Sequence, residues 1–223
     1  MMDILSSLEL TPFVLSLKLA SLTTLILFLL SVPLSWYLSQ TSSKAKPFFE
    51  ALTALPLVLP PSVIGFYLLI AFSNNIFGLE LVFSFSGLVV ASCLYSLPFM
   101  VQPLQNGFES LNKNMLEASY LSGKTKFQTI LRVALPNMKP ALLTALVVTF
   151  AHTIGEFGVI LMVGGSIPGE TKVASVAIYE AVEIMDYTTA HIYSAMMLSM
   201  SFIVLLSIYV FNHKHKKSFG GFR

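Results

Sequence analysis

Long apolar stretches alternate with short polar ones along almost the whole chain. Five of them reach the roughly 20 residues that a helix needs to cross a bilayer: residues 12–37, 51–72, 85–107, 141–163 and 190–211. Only Lys18, His152, Glu156 and His191 interrupt these stretches with a group that can carry charge. Backbone N–H and C=O groups find no water in hydrocarbon, so each stretch is predicted to be a helix. The pattern predicts an all-α, polytopic membrane protein with five transmembrane helices and a single domain, 1–223.

Composition agrees with the pattern. Apolar residues make up 55% of the 223 and charged residues 11%, against about 25% charge in soluble domains. The net charge of +2 is small, but its placement orients the chain. With the N-terminus outside, the inner segments hold Lys44, Lys46, Lys113, Lys124, Lys126, Arg132, Lys139, Lys214, Lys216, Lys217 and Arg223. The outer loops hold Lys172 alone, and Lys18 falls within the first span. Cytoplasmic loops carry the excess of Lys and Arg, so the expected topology is N-out, C-in.

The polar segments then acquire sides. The largest inner one, about 108–140, is too short for a domain and too long for a tight turn. The largest outer one begins with "GGSIPGET" and continues as "AIYEAVEIMDY", predicted as a short amphipathic surface helix. Its acidic side carries Glu180, Glu183 and Asp186, its apolar side Ile178, Ala181, Val182 and Ile184. The C-terminal "HKHKKSFGGFR" reads as a basic tail at the membrane surface rather than a metal site of His213 and His215. The start, "MMDILSSLEL", lacks the basic residues of a cleaved signal. Cys93, alone in an apolar stretch, reads as a small buried hydrophobe. No metal site is expected.

Ionisable groups inside a membrane are functional candidates. Lys18 lies about 7–8 Å below the outer end of the first span and Glu156 roughly 9 Å below that of the fourth, at 1.5 Å per residue. Matched depth and opposite charge predict a Lys18–Glu156 pair. The rival reading makes Lys18 an anion attractor on a polar path. His152, four residues before Glu156, shares its helix face and reads as a helix–helix hydrogen-bonding residue. Gly155 and Gly158 thin the same helix. Pro56, Pro60 and Pro61 must break or kink the second span, freeing carbonyls that, with Ser62, could line a path. Pro98 and Pro103 are expected to kink the third span near Gln102, Gln105 and Asn106, candidates for an inner mouth.

The inner segment contains "EASYLSGKTKF", residues 117–127. Gly123-Lys124-Thr125 ends like a phosphate-binding loop, but G-x-x-x-x-G-K-[ST] needs a glycine where Ala118 stands and a strand before it. The preceding "SLNKNMLEASYL" reads as helix, so no nucleotide is expected there. Glu117-Ala118-Ser119, then Gly123, then Val133-Ala134-Leu135-Pro136 resembles the EAA motif of ABC importer permeases: E-A-A, three residues, G, nine residues, I-x-L-P. Ser119 replaces the second Ala and Val133 the Ile; the spacing is kept. Gly123 permits a turn between two short helices. Leu116, Leu121, Phe127, Ile130, Leu131 and Val133 are expected to form one apolar face.

The resemblance extends over nearly the whole chain. "HTIGEFGVILMVGGSIPGETKVASVAIYEAV", "LPLVLPPSVIGFYLL" and "SLKLA" are similar to the molybdate ABC transporter permease family. It implies the type I ABC importer permease fold and import of molybdate, with tungstate as a possible cargo, by alternating access across a bacterial inner membrane. It also implies a second copy of the chain, a dimer of ABC ATPase subunits that use ATP and Mg, and a periplasmic or lipid-anchored oxyanion-binding protein. Coupling to the ATPase falls on Glu117, Ala118, Ser119, Gly123, Val133, Leu135 and Pro136. This chain itself is expected to bind no cofactor or nucleic acid and to be no enzyme. Sulfate or thiosulfate import is the alternative; a membrane-embedded enzyme would need a nucleophile and base or metal ligands that the scattered His and acidic residues do not gather, and a channel or secondary transporter would leave the 117–136 hairpin unexplained.

Overall fold

A computed structural model describes residues 9–74 and 80–219, with side chains as far as residue 210 except at 208. The basic tail side chains, His213 and His215 included, and the first eight residues lie outside that description. Every regular element among the described residues is helical. The elements are α1 (Thr11–Gln40), α2 (Lys46–Ala54), α3 (Pro61–Ser73), α4 (Phe85–Glu109), α5 (Lys113–Leu121), α6 (Lys126–Thr129), α7 (Leu135–Asn137), α8 (Lys139–Gly155), α9 (Gly158–Gly164), α10 (Ala174–Glu183) and α11 (Tyr187–Phe219). A 3-10 turn, Leu55–Leu57, extends α2, and a π-helical turn, Ile130–Ala134, joins α6 to α7.

α1, α4 and residues Tyr187–Ser207 of α11 are long and apolar enough to cross a bilayer. Two bent pairs raise the number to five if each is one span: Lys46–Leu57 with Pro61–Ser73, bent by 104°, and Lys126–Asn137 with Lys139–Gly155, bent by 87°. The first bend falls at the prolines expected to break the second span, 51–72. Pro60 is extended, with ψ 140°, as a residue before proline tends to be. Pro61 opens α3, where its missing N–H costs nothing. The 13 residues of α3 reach only about 20 Å, short of the roughly 30 Å core.

The expected fourth span, 141–163, is interrupted as well. α8 stops at Gly155, Glu156 is extended with ψ 132°, and the helix restarts at Gly158. A Cβ added at Gly158 would lie 2.8 Å from Cβ of Pro61, so the glycine lets the two broken spans touch at their breaks. α9 packs along α3 from that point. By contrast, α4 runs through Pro98 and Pro103 as one helix of 25 residues.

α1, α4 and α8 form the centre, with α3 and α9 on one side and α10 packed on α11 and the start of α1. Small hydroxyl residues are buried between the central helices: Thr23, Ser31 and Ser35 on α1, Ser92 and Ser96 on α4, Thr149 and Thr153 on α8. Lipid offers no hydrophobic drive for helix association, so close backbone approach over small residues has to supply it. Ser35 Oγ donates to the Val101 carbonyl at 3.1 Å, tying α1 to α4.

The two ends differ. At the lysine-rich end an apolar cluster joins Trp36, Leu104, Phe108, Leu116, Ile130, Leu135 and Met138, with Trp36 and Phe108 edge to face at 5.1 Å. At the opposite end, the "GGSIPGET" turn closes on buried Thr171, whose Oγ1 donates to the Gly164 carbonyl at 2.7 Å and accepts from Ile167 N at 2.9 Å. α10 begins earlier than the pattern suggested. Its buried face is Ala174, Val176, Ala177 and Ala181, while Val182 and Ile184 are exposed. The small residues bring α10 close to α1 and α11, which the larger side chains would prevent.

Candidate functional site

The hairpin of α5 and α6 is built by caps that the sequence carries. Asn112 starts α5, its side chain accepting from Asn114 N. The helix ends in a Schellman motif: Gly123 N donates to the Tyr120 carbonyl and Lys124 N to that of Ser119. Gly123 has φ +78°, a conformation that only glycine enters freely. Thr125 then opens α6 in a capping box with Gln128, the T-x-x-Q signal that motif reading passed over. Gly-Lys-Thr is therefore a helix stop, one half-buried lysine and a helix start, with no cradle for phosphate.

Ser119 and Thr129 are both buried, and their hydroxyls meet at 2.9 Å. That bond staples α5 to α6, and it uses the one position of the E-A-A triplet where this chain departs from Ala. A π turn widens the backbone just before Pro136, where Leu135 N reaches back to the Ile130 carbonyl. In a regular α-helix the Pro136 ring would crowd the carbonyl four residues earlier.

The expected single apolar face is divided between two jobs. Leu116, Ile130 and Leu135 are buried in the cluster with Trp36 and Phe108. Each such side chain contributes on the order of 1.5–3 kcal/mol where burial removes it from water, so the hairpin is anchored to the bundle. Tyr120, Leu121, Phe127 and Leu131 instead point outward, Leu121 at 89% exposure and Phe127 at 70%. Glu117, Ala118, Lys126 and Arg132 are exposed beside them. Large apolar side chains left bare at a polar-rimmed tip have the pattern of an interaction surface, with protein or with membrane. A recess of about 560 Å³ between this tip and the ends of α1 and α4 is lined by Lys46, Glu109, Lys113, Glu117 and Tyr120 among others. Gln105, expected at an inner mouth, donates there to Glu50 at 2.6 Å and to Glu109 at 3.0 Å, and Lys46 bonds Glu109 at 3.1 Å.

The intramembrane residues are not brought together as the depth argument suggested. Lys18 is exposed, with Nζ 4.6 Å from the centroid of the Phe85 ring. Glu156 is 5% exposed, and neither carboxylate oxygen has a hydrogen-bond partner. No Lys18–Glu156 ion pair forms among the described residues. The break at Glu156 explains this: beyond Gly155 the chain leaves the helix, and depth counted at 1.5 Å per residue no longer fixes where its side chain goes. Glu156 and His152 still face the same helix: Ser92 of α4 lies beside the first and Ser96 beside the second. His152 Nδ1 lies 3.0 Å from Ser96 Oγ on α4, with its ring stacked on Phe99 at 3.8 Å.

The residues 21–217 match the family model of the binding-protein-dependent transport system inner membrane component. The chain belongs to that family. It is 44% identical over 214 residues to the molybdenum transport system permease protein ModB of Azotobacter vinelandii, covering 92% of this chain and 95% of that one. It is 30% identical over 183 residues to the sulfate transport system permease protein CysT of Escherichia coli K12, covering 78% of this chain and 66% of that one. Its fold is that of a chain of the MetNI methionine ABC transporter in an inward-facing form, with a TM-score of 0.75 over 95% of this permease and 97% of that chain at 17% identity. A chain of a bacterial ABC transporter for alginate import gives 0.72, over 97% and 82%, again at 17% identity. The permease fold is thus shared at identities too low to carry a substrate.

Proposed function

We propose that the chain is the transmembrane subunit of an ATP-binding cassette importer for molybdate, with tungstate as the nearest competing cargo. The observation that carries this reading is the 44% identity to ModB over 92% of the chain. The sulfate permease CysT is more distant, at 30% over 78%. Hydrolysis belongs to partner subunits that use ATP and Mg; this chain supplies the path and the coupling.

The cargo dictates the chemistry. A hydrated oxyanion cannot cross hydrocarbon, so two copies of the chain enclose a polar path and open it to one side at a time. The chain lies N-out, C-in in the inner membrane, which puts the lysine-rich end in the cytoplasm, in keeping with the positive-inside rule. The partner ATPases dock on the α5–α6 tip. Exposed Leu121 and Phe127 enter the ATPase groove, Glu117 and Ala118 lie along it, and the Ser119–Thr129 bond keeps the hairpin stiff enough to transmit force. Val133, Leu135 and Pro136 carry that force through the π turn into α8. An oxyanion-binding protein delivers the anion at the opposite end. Exposed Lys18, which pairs with no carboxylate among the described residues, favours its reading as an anion attractor on the path.

Uptake of labelled molybdate into cells expressing the chain with its ATPase and binding protein tests this. Tungstate should compete at equimolar concentration and sulfate only in large excess. Competition by sulfate as strong as that by tungstate would move the assignment to the sulfate group.

A further inference from the structure

Glu156 has no role in the coupling just described. It is buried at the point where α8 ends and α9 has yet to begin. Its backbone is held: the Ser175 hydroxyl of α10 donates to its carbonyl at 2.7 Å. Its carboxyl is not, and no N–H of α9 reaches it. The Ser92 hydroxyl of α4 lies beside it, yet neither that Oγ nor either Glu156 oxygen closes a hydrogen bond.

Among the described residues no counter-charge faces it from any packed element. On α1, Lys18 sits over Phe85. On α4, Cys93 and Tyr95 lie within electrostatic range, and both are neutral side chains. On α8, His152 is engaged with Ser96 and Phe99. On α10, Tyr179 lies against Phe157 and Glu180 pairs with Lys172. α3 carries no charged residue. A bare carboxylate in such a place is strongly disfavoured, and a neutral acid with a hydroxyl beside it removes most of that cost.

We infer that Glu156 is a proton-binding site at the hinge between α8 and α9, loaded with one proton in the packing described and emptied when the two broken spans part. The carboxylate takes a proton from water to become the acid and returns it to water; nothing else is exchanged. The hinge position supplies the coupling. α9 is held to α3 through the Gly158–Pro61 contact, so separating them exposes Glu156 to solvent and lets it ionise. Acid conditions then favour the packing described, and alkaline conditions favour the opened one.

The loaded state is tested on the full chain in lipid nanodiscs, without transport, so it stands or falls independently of the cargo. Infrared spectra at neutral pH of wild type minus Glu156→Gln should show the carbonyl stretch of one protonated carboxylic acid. A hydrophobic carbodiimide, which attacks protonated carboxyls in apolar surroundings, should modify Glu156 in the wild type, located by peptide mass spectrometry; this arm needs no variant. An absent band with no adduct overturns the proposal, and so does a band that survives in Glu156→Gln. Absence of the band with stabilisation by Na⁺ in wild type but not in Glu156→Gln also overturns it, in favour of a metal cation. Release is tested in the complex with the partner ATPase and rests on the proposed function: trapping with ATP should shrink the band, and a band of constant size refutes the hinge coupling.

Discussion

Gly123 offers the sharpest test of the coupling hairpin, because the structure separates two reasons for a glycine there. Its φ is +78°, and an added Cβ would meet nothing within 4 Å. A side chain therefore costs backbone strain and no clash within this chain. Left-handed backbone costs an ordinary L-residue about 1–2 kcal/mol, which reduces the population of the correct turn by a factor of about 5–30. Affinity for a partner that needs the turn falls by the same factor. Asn enters this region more readily than other residues, so Gly123→Asn should keep most coupling. Gly123→Ala should lose about tenfold, and Gly123→Val, β-branched, more. The assay is ATPase co-purified per permease in membranes, together with ATP-driven uptake, at equal amounts of inserted chain. Wild-type coupling in Gly123→Val would refute the reasoning. Equal damage from Asn and Val would refute it differently, by showing that the partner excludes any side chain at this position.

Replacing Leu121 or Phe127 by Asp should leave membrane insertion and thermal stability nearly unchanged, within about 0.5 kcal/mol for an exposed site, but abolish ATPase co-purification; retained co-purification would exclude the tip as the docking surface. Gly158→Ala should overpack the junction against Pro61, 2.8 Å away, at about 1–3 kcal/mol, read as a lower unfolding temperature in detergent. Gly155→Ala, with nothing within 4 Å, is the control and should not fall with it. Burial pushes Glu180 up, but the hydrogen bond and charge of Lys172 outweigh it and hold the carboxyl below its ordinary value. A depressed carboxyl stabilises the fold above the ordinary Glu range and loses that contribution as pH falls through its lowered value. Wild type should therefore exceed Glu180→Gln by under about 1 kcal/mol at neutral pH, and the two should converge below about pH 4; a gap that persists in acid counts against the pair.

What the sequence made legible, and what it hid, divides along one physical line. Hydrophobic length and the spacing from Glu117 to Pro136 are one-dimensional quantities, and they foretold the helical class, the family and the hairpin. Even the caps were readable, since Gly123, Thr125 and Gln128 stand at fixed offsets whatever the chain does elsewhere. The failure at Glu156 has one premise, that the apolar run 141–163 is a straight rod. Depth at 1.5 Å per residue pairs Lys18 with Glu156 only while residues 141–163 are taken as one helix. Period alone cannot reveal that Gly158 is glycine because Pro61, far earlier in the chain, presses on it, or that Ser96 is the partner of His152. The division of the hairpin's apolar residues was hidden for the same reason: Leu116 and Leu121 differ only in that Trp36 and Phe108 cover one and not the other. Breaks and partners in a membrane chain are decided by what the neighbouring helix brings to the same height. At Glu156 the break leaves the carboxyl buried and unpaired with Lys18. It thereby becomes the one buried acidic group among the described residues, with only a proton left to neutralise it.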